Sequence, residues 1–159
     1  MRKRICFVLF LLVLSLAGCT QRKQVEEGAI NIYYMNEGET GLVEYVYFPI
    51  TGTLYDVSKE VLDQMKVTPE DVELASPLKY TRINSISFSG ENINVDFDDS
   101  YLEMDLVREK LTREAVVFTM CQVTGITSVS FSVENEPLLN ETGKPFGMMT
   151  PEKLRLNLR

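Results

Sequence analysis

Histidine and tryptophan are absent from this 159-residue chain, and cysteine occurs only three times. Without histidine there is no Ser–His or Cys–His pair, no imidazole zinc ligand and no imidazole proton shuttle. Two of the cysteines, Cys6 and Cys19, fall within the first 19 residues, so Cys121 stands alone in the body of the chain. That body has no internal disulfide and no cysteine-cluster metal site, and no cofactor is expected. Basic residues are also in deficit, 16 against 23 acids, and they form no patch. Nucleic acid is therefore excluded as an expected partner. Loose adsorption to anionic lipids or wall polymers is disfavoured by the same balance. No internal repeat and no low-complexity segment is present.

The chain has one long hydrophobic run, Ile5 to Leu14, preceded by the basic Met1-Arg-Lys-Arg4 and followed by Leu16-Ala17-Gly18-Cys19. Ten apolar residues span about 15 Å as a helix, roughly half a bilayer core, so the run is too short for a permanent span. Basic residues, an apolar stretch and small residues in that order are the plan of an exported, cleaved leader. Leu-Ala-Gly-Cys resembles the bacterial lipobox. That resemblance implies cleavage before Cys19 and diacylglyceration of its thiol, with acylation of the new N-terminus. Each buried methylene contributes about 0.8 kcal/mol, so two or three acyl chains hold a small domain at the membrane. The leader carries three of the basic residues and none of the acids, so its removal leaves 13 basic against 23 acidic side chains.

The expected organisation is a signal peptide over 1–18, a lipidated tether over 19–27, one domain over 28–150 and a tail over 151–159. The tether, Thr20-Gln-Arg-Lys-Gln-Val-Glu-Glu27, is polar. About ten residues reach at most some 33–36 Å, which keeps the domain close to the membrane. Ile30 to Met35 and Leu42 to Phe48 are short apolar and aromatic runs joined by turn-formers, a hairpin signature. Tyr55 to Lys66 places Val57, Val61, Leu62 and Met65 at helical spacing, with Asp56 or Ser58 as its cap. Val67 to Thr81 reads as a loop. Ile83 to Phe88 and Ile93 to Phe97 form a second hairpin around Ser89-Gly-Glu-Asn92. Leu106 to Val123 reads as a long helix with Val107, Leu111, Ala115, Phe118 and Gln122 inward, ended by Gly125. Thr127 to Val133 alternates as a strand, and Thr150-Pro-Glu-Lys-Leu starts like a short helix. The order β-β-α-β-β-α-β predicts an α+β two-layer sandwich, with two helices packed on one face of a single, mostly antiparallel sheet.

Three groups of residues invite a chemical reading. Asp96, Asp98 and Asp99 are the densest acids on a strand end, and paired carboxylates can do acid/base work or hold a divalent cation. Alternation instead puts Asp96 on the solvated face, opposite Ile93, Val95 and Phe97, and makes Asp98-Asp99-Ser100 a turn. Cys121 lies near the apolar stripe of the long helix and has no base beside it, so it reads as a structural thiol. Tyr33, Tyr34, Tyr45 and Tyr47, with Phe48, crowd the first hairpin. Tyrosine combines a large apolar area with a polar tip, so those on an exposed face are candidates for an interaction surface. Packing of the sheet beneath loops is the alternative use of the same residues. Asn140-Glu-Thr142 matches a glycosylation sequon and is taken as chance.

Residues 83–138 resemble the GerM-type domain, a family named for a sporulation and spore-germination lipoprotein. The shared pattern is a hairpin ending in a V-D-F-like strand, then a helix ending T-l-x-q-x-x-G-V, then a strand V-x-F-x-V. Ile93 to Phe97, Thr119-Met-Cys-Gln122, Gly125-Ile126 and Val129-Ser-Phe-Ser-Val133 stand in those places. Asn135-Glu-Pro-Leu138, Gly143 to Gly147 and Met149 to Glu152 resemble the trailing segment, and the likeness extends over about residues 28–150. The resemblance implies a non-enzymatic envelope domain, similar to ring-building modules that assemble in multiprotein complexes. This chain has one such unit where the namesake has two. The expected protein is thus a lipoprotein on the extracytoplasmic face of the cell membrane, anchored through Cys19. Its partners would be an envelope complex or further copies of itself. A carboxylate-based or metal-dependent envelope enzyme using Asp96, Asp98 and Asp99 is the alternative.

Overall fold

The computed structural model describes residues 28–70 and 72–156, so the leader, Cys19 and the tether lie outside the described residues. The first hairpin forms as expected: β1 (Ile30–Asn36) pairs antiparallel with β2 (Leu42–Tyr47). Helix α1 (Leu54–Gln64) follows. Its cap is Thr53 rather than Asp56 or Ser58: the Thr53 hydroxyl accepts from the Asp56 N–H while the Asp56 carboxylate accepts from the Thr53 N–H. That reciprocal pair makes Asp56 the third residue of a capping box, and Ser58 is buried one turn further on. The expected loop over 67–81 contains a two-residue strand, β3 (Leu74–Ala75), too short to show any period.

Strands β4 (Ile83–Ser89) and β5 (Asn92–Phe97) form the second hairpin, with Gly90 at φ +60° in its turn. A 3-10 turn over Asp99–Glu103 leads into α2 (Leu106–Met120), whose N-cap Asp105 accepts from the N–H groups of Val107 and Arg108. Strand β6 (Ser128–Val133) then lies parallel to β5, a pairing that needs a long crossover, which α2 supplies. A two-residue β7 (Glu136–Pro137) and a short α3 (Pro151–Leu156) complete the chain. None of the helices among the described residues is long and apolar enough to cross a membrane.

The α+β class is correct, and four of the five strand pairings are antiparallel. The single sheet is not. Two sheets form, ordered β2-β1-β3 and β4-β5-β6-β7. The reason is local. One edge of β1 pairs with β2, and its other edge is already occupied. There the Tyr33 N–H donates to Thr119 Oγ1 at 3.0 Å and the Asn31 N–H to Gln122 Oε1 at 2.9 Å, while Gln122 Nε2 donates back to the Asn31 carbonyl at 2.8 Å. Met35 and Asn36 pair with β3. Nothing of β1 is left for the second sheet, and α2 stands between the two.

Helix α2 is therefore covered almost all round. Leu111 through Val117 are all buried, so the expected single inward stripe holds only in part: Leu111 and Ala115 face the core, whereas Val107 and Gln122 are exposed. Polar groups on α2 find partners within the cover, Arg108 Nε excepted among the described residues. Arg108 donates to the Ser76 carbonyl, pairs with Glu39 in the β1–β2 turn and stacks on Tyr80. Arg113 makes two bonds to Glu109, at 2.8 and 2.9 Å, and lies over the Phe146 ring. One apolar core joins both sheets and the helices, with Phe97 stacked between Tyr101 and Phe131. Leu154, in the expected tail, belongs to that core, so α3 is part of the fold rather than an appendage.

Candidate interaction surface

The register of the first hairpin sorts its tyrosines. Ile30, Ile32 and Tyr34 pair with Tyr47, Tyr45 and Val43, and these six share the face toward α1. Tyr34 is only 2 % exposed, donates to the Gln64 carbonyl at 3.0 Å and meets Tyr45 edge-on at 5.8 Å. Burial, and then Tyr45, push its pKa up to about 12. Tyr34 is thus a core residue and not part of any surface. Tyr47 donates to Glu60, and burial followed by that contact raises it to about 12 as well. Tyr33 lies on the opposite face, with its ring against Phe118 and its hydroxyl bonded to Glu44 at 3.0 Å. Of the four expected surface tyrosines, Tyr45 is the exposed one.

What the surface does contain is a strip along β2. Val43, Tyr45 and Val46 are exposed, followed by Phe48 at 55 % and Ile50 at 57 % in the connection to α1. Because Asn31 and Tyr33 turn their N–H groups to α2, it is Ile30, Ile32 and Tyr34 that bond to β2. By the same alternation Leu42, Glu44 and Val46 present the backbone of the β2 edge that is unpaired among the described residues. The signal was in the sequence: Leu42-Val-Glu-Tyr-Val-Tyr47 does not alternate. Such a strand either is buried on both faces or exposes apolar side chains on both. The sequence pattern by itself does not decide between them.

The acids do not converge. Asp96 is 2 % exposed, which overturns its placement on a solvated face. Its Oδ1 accepts from Ser132 Oγ at 2.6 Å and from the Asn135 N–H at 2.8 Å. It clamps the β6–β7 turn, where Glu134 and Asn135 have φ of 50° and 66°. Alternation assigned the correct face, but that face is covered by neighbours and by the chain after β7. Asp98 accepts from Ser100 Oγ and the Arg82 N–H, and these bonds hold its carboxyl below the usual range against the opposing effect of burial. Asp99 is exposed and opens the 3-10 turn. Among the described residues no three acids or thiols gather as a metal would require. Cys121 is half-buried, and burial, then Glu152, push its thiol up to about 11, so it is protonated at neutral pH. Asn140 of the sequon-like triplet accepts from Thr142 and Lys144 and shapes a turn.

Two residues of the T-x-x-Q pattern acquire a physical role: Thr119 and Gln122 are the side chains that close the inner edge of β1. The family model described as "Germane: sporulation and spore germination" matches residues 31–139. The chain belongs to the Germane family. The first GerMN domain of the sporulation protein GerM from Bacillus subtilis superposes with a TM-score of 0.63 at 14 % identity, over 78 % of this chain and 98 % of that one. The tandem GerMN domains of the same protein give 0.57 at 19 % identity, over 77 % of this chain and 44 % of theirs. A Clostridium perfringens structure described as a candidate lipoprotein gives 0.55 at 14 %, over 79 % and 88 %. No protein matches among the curated sequences. At these identities the solved structures establish the fold of this Germane domain and nothing finer.

Proposed function

We propose that this Germane protein is a lipoprotein, anchored through Cys19 on the extracytoplasmic face of the cell membrane. Its domain holds a protein partner of the envelope during sporulation or germination and performs no catalysis. The observation that carries the reading is the edge of β2, unpaired among the described residues, with exposed apolar side chains on both faces, Val43 and Tyr45 on one and Val46 beside Glu44 on the other. An unpaired edge offers a row of backbone donors and acceptors to an incoming strand, and apolar neighbours add contact area and specificity. Lysine, a common edge protector, is absent from β2. The leader and lipobox support the anchoring, and the family supports the process.

The test places a photocrosslinking amino acid at Val46 of the full-length chain in sporulating cells. A discrete adduct with one envelope protein is expected, and the same reagent at Ser87, on the other sheet, should not yield it. An adduct of twice the chain mass would identify the partner as a second copy. No adduct from Val46, or the same adduct from both positions, overturns the reading. For the anchor, Cys19→Ala should abolish incorporation of labelled palmitate and release the protein from membranes.

A further inference from the structure

The outer face of the second sheet is polar, buried at Asn92, Asp96, Ser128 and Ser132 and open at Ser85, Ser87 and Ser89. Cross-strand registers align three rows on it: Ser85–Asp96–Ser132, Ser87–Asn94–Ser130 and Ser89–Asn92–Ser128. Eight of the nine residues are serine or asparagine, and the ninth is the buried Asp96. A quarter of the chain is charged, yet the exposed positions of this face, Ser85, Ser87 and Ser89, are all neutral. Within the two inner strands the side chains form a continuous ladder. Ser128 donates to Asn92, Asn92 to Ser130, Ser130 to Asn94, Asn94 to Ser132 and Ser132 to Asp96, over 2.6–3.0 Å. The ladder fixes every amide and hydroxyl in one orientation. It also leaves Asn94 and Ser130 at the surface, and Ser85 and Ser87 exposed with no side-chain hydrogen bond among the described residues.

Beside the ladder lies a cleft of about 300 Å³. Asn94, Asp96, Ser130 and Ser132 form its base, Ser85 and Ser87 one side, and Pro137 and Pro145 the other. Asp96 Oδ2 is buried and has no hydrogen-bond partner among the described residues, although Oδ1 has two. No lysine or arginine lines the cleft. Anions are thereby rejected, the more so in the field of a net acidic chain. Hydroxyl and amide groups each offer both donors and acceptors, as the hydroxyl and acetamido groups of a sugar do. The proline rings supply an apolar wall for the C–H face of a pyranose, giving the mixed lining usual for a small-molecule site. We infer that this cleft binds a neutral saccharide, with the Asn94–Ser130 rung as its hydrogen-bonding base and Asp96 as the acceptor behind it.

This inference goes beyond the protein-contact reading and does not depend on β2. The test is saturation-transfer NMR on the full-length lipidated protein in nanodiscs, with triacetylchitotriose as probe and empty nanodiscs as blank. Saturation transfer to the trisaccharide is expected, reduced at least tenfold by Ser87→Lys, which places a long side chain across the cleft mouth on an edge strand that tolerates it. Val46→Lys should leave it unchanged, separating this site from the β2 contact. Free N-acetylglucosamine bound as well as the trimer identifies a free sugar as the ligand, and preference for the trimer identifies a polymer. No transfer above the blank overturns the inference. So does undiminished transfer in Ser87→Lys, or a sugar phosphate bound as tightly as the neutral probe.

Discussion

Strands β2 and β5 are each six residues long and belong to the same small domain, yet they use alternation in opposite ways. In β5 the pattern is strict. Ile93, Val95 and Phe97 enter the core, and Asn92, Asn94 and Asp96 are laced to β6 on the other side, so five of its six residues are buried. In β2 the pattern fails, one edge is unpaired among the described residues, and none of the six residues is fully buried. A central strand has its backbone paired along both edges. An edge strand with unused backbone groups and exposed apolar side chains has capacity left for something outside it.

That contrast is open to direct attack. Asp96→Ala should cost most, about 2–3 kcal/mol by urea unfolding, because it strands the buried Ser132 hydroxyl and removes the acceptor of the Asn135 N–H. A loss below about 0.5 kcal/mol, the range of an ordinary surface substitution, would mean the polar face of β5 is no more integrated than β2. Gln122→Ala removes the bonds to Asn31 and should cost about 1 kcal/mol, with faster amide exchange at Asn31 than at Ile32. Tyr34 tests the hairpin's inner face through pH. Its raised folded pKa means the unfolded chain ionises first, so its contribution is intact below about 10, the reference tyrosine value, and is lost as pH rises toward about 12. Tyr34→Phe should therefore lose less stability than the parent between those limits in alkaline titrations. Val46→Lys should change stability least, by under about 0.5 kcal/mol, while abolishing the crosslinked adduct. A large destabilisation there would show that the outer strand serves the fold after all.

Much of this was readable before any coordinates. Both hairpins and both long helices start within a residue or two of the expected positions, because turn-formers and capping residues bound them. The α+β class followed from their order. The two sheets did not, since that depends on Thr119 and Gln122 reaching the edge of β1 across some ninety residues of sequence, and no local pattern shows which edge a helix will cover. For the same reason β3 and β7 were invisible: two residues carry no period. Asp96 was assigned to the correct face but the wrong environment, as its cover comes from Ser132 and the turn after β6. Register puts Tyr34, Tyr45 and Tyr47 on one face and Tyr33 on the other, but only the packing of α1 decides that Tyr34 is buried while its partner Val43 and its neighbour Tyr45 are exposed.

The position of β1 carries one more consequence, a mechanical one. Gly28 leads straight into a strand flanked by β2 on one edge and by Thr119 and Gln122 on the other. A pull entering at Gly28 along the strand loads these hydrogen bonds in shear, side by side, so they must yield together rather than unzip one by one. Such a pull would be resisted on both edges of β1 at once, by β2 on one side and by the Thr119 and Gln122 side chains on the other, while the outer edge of β2 takes no part in that resistance.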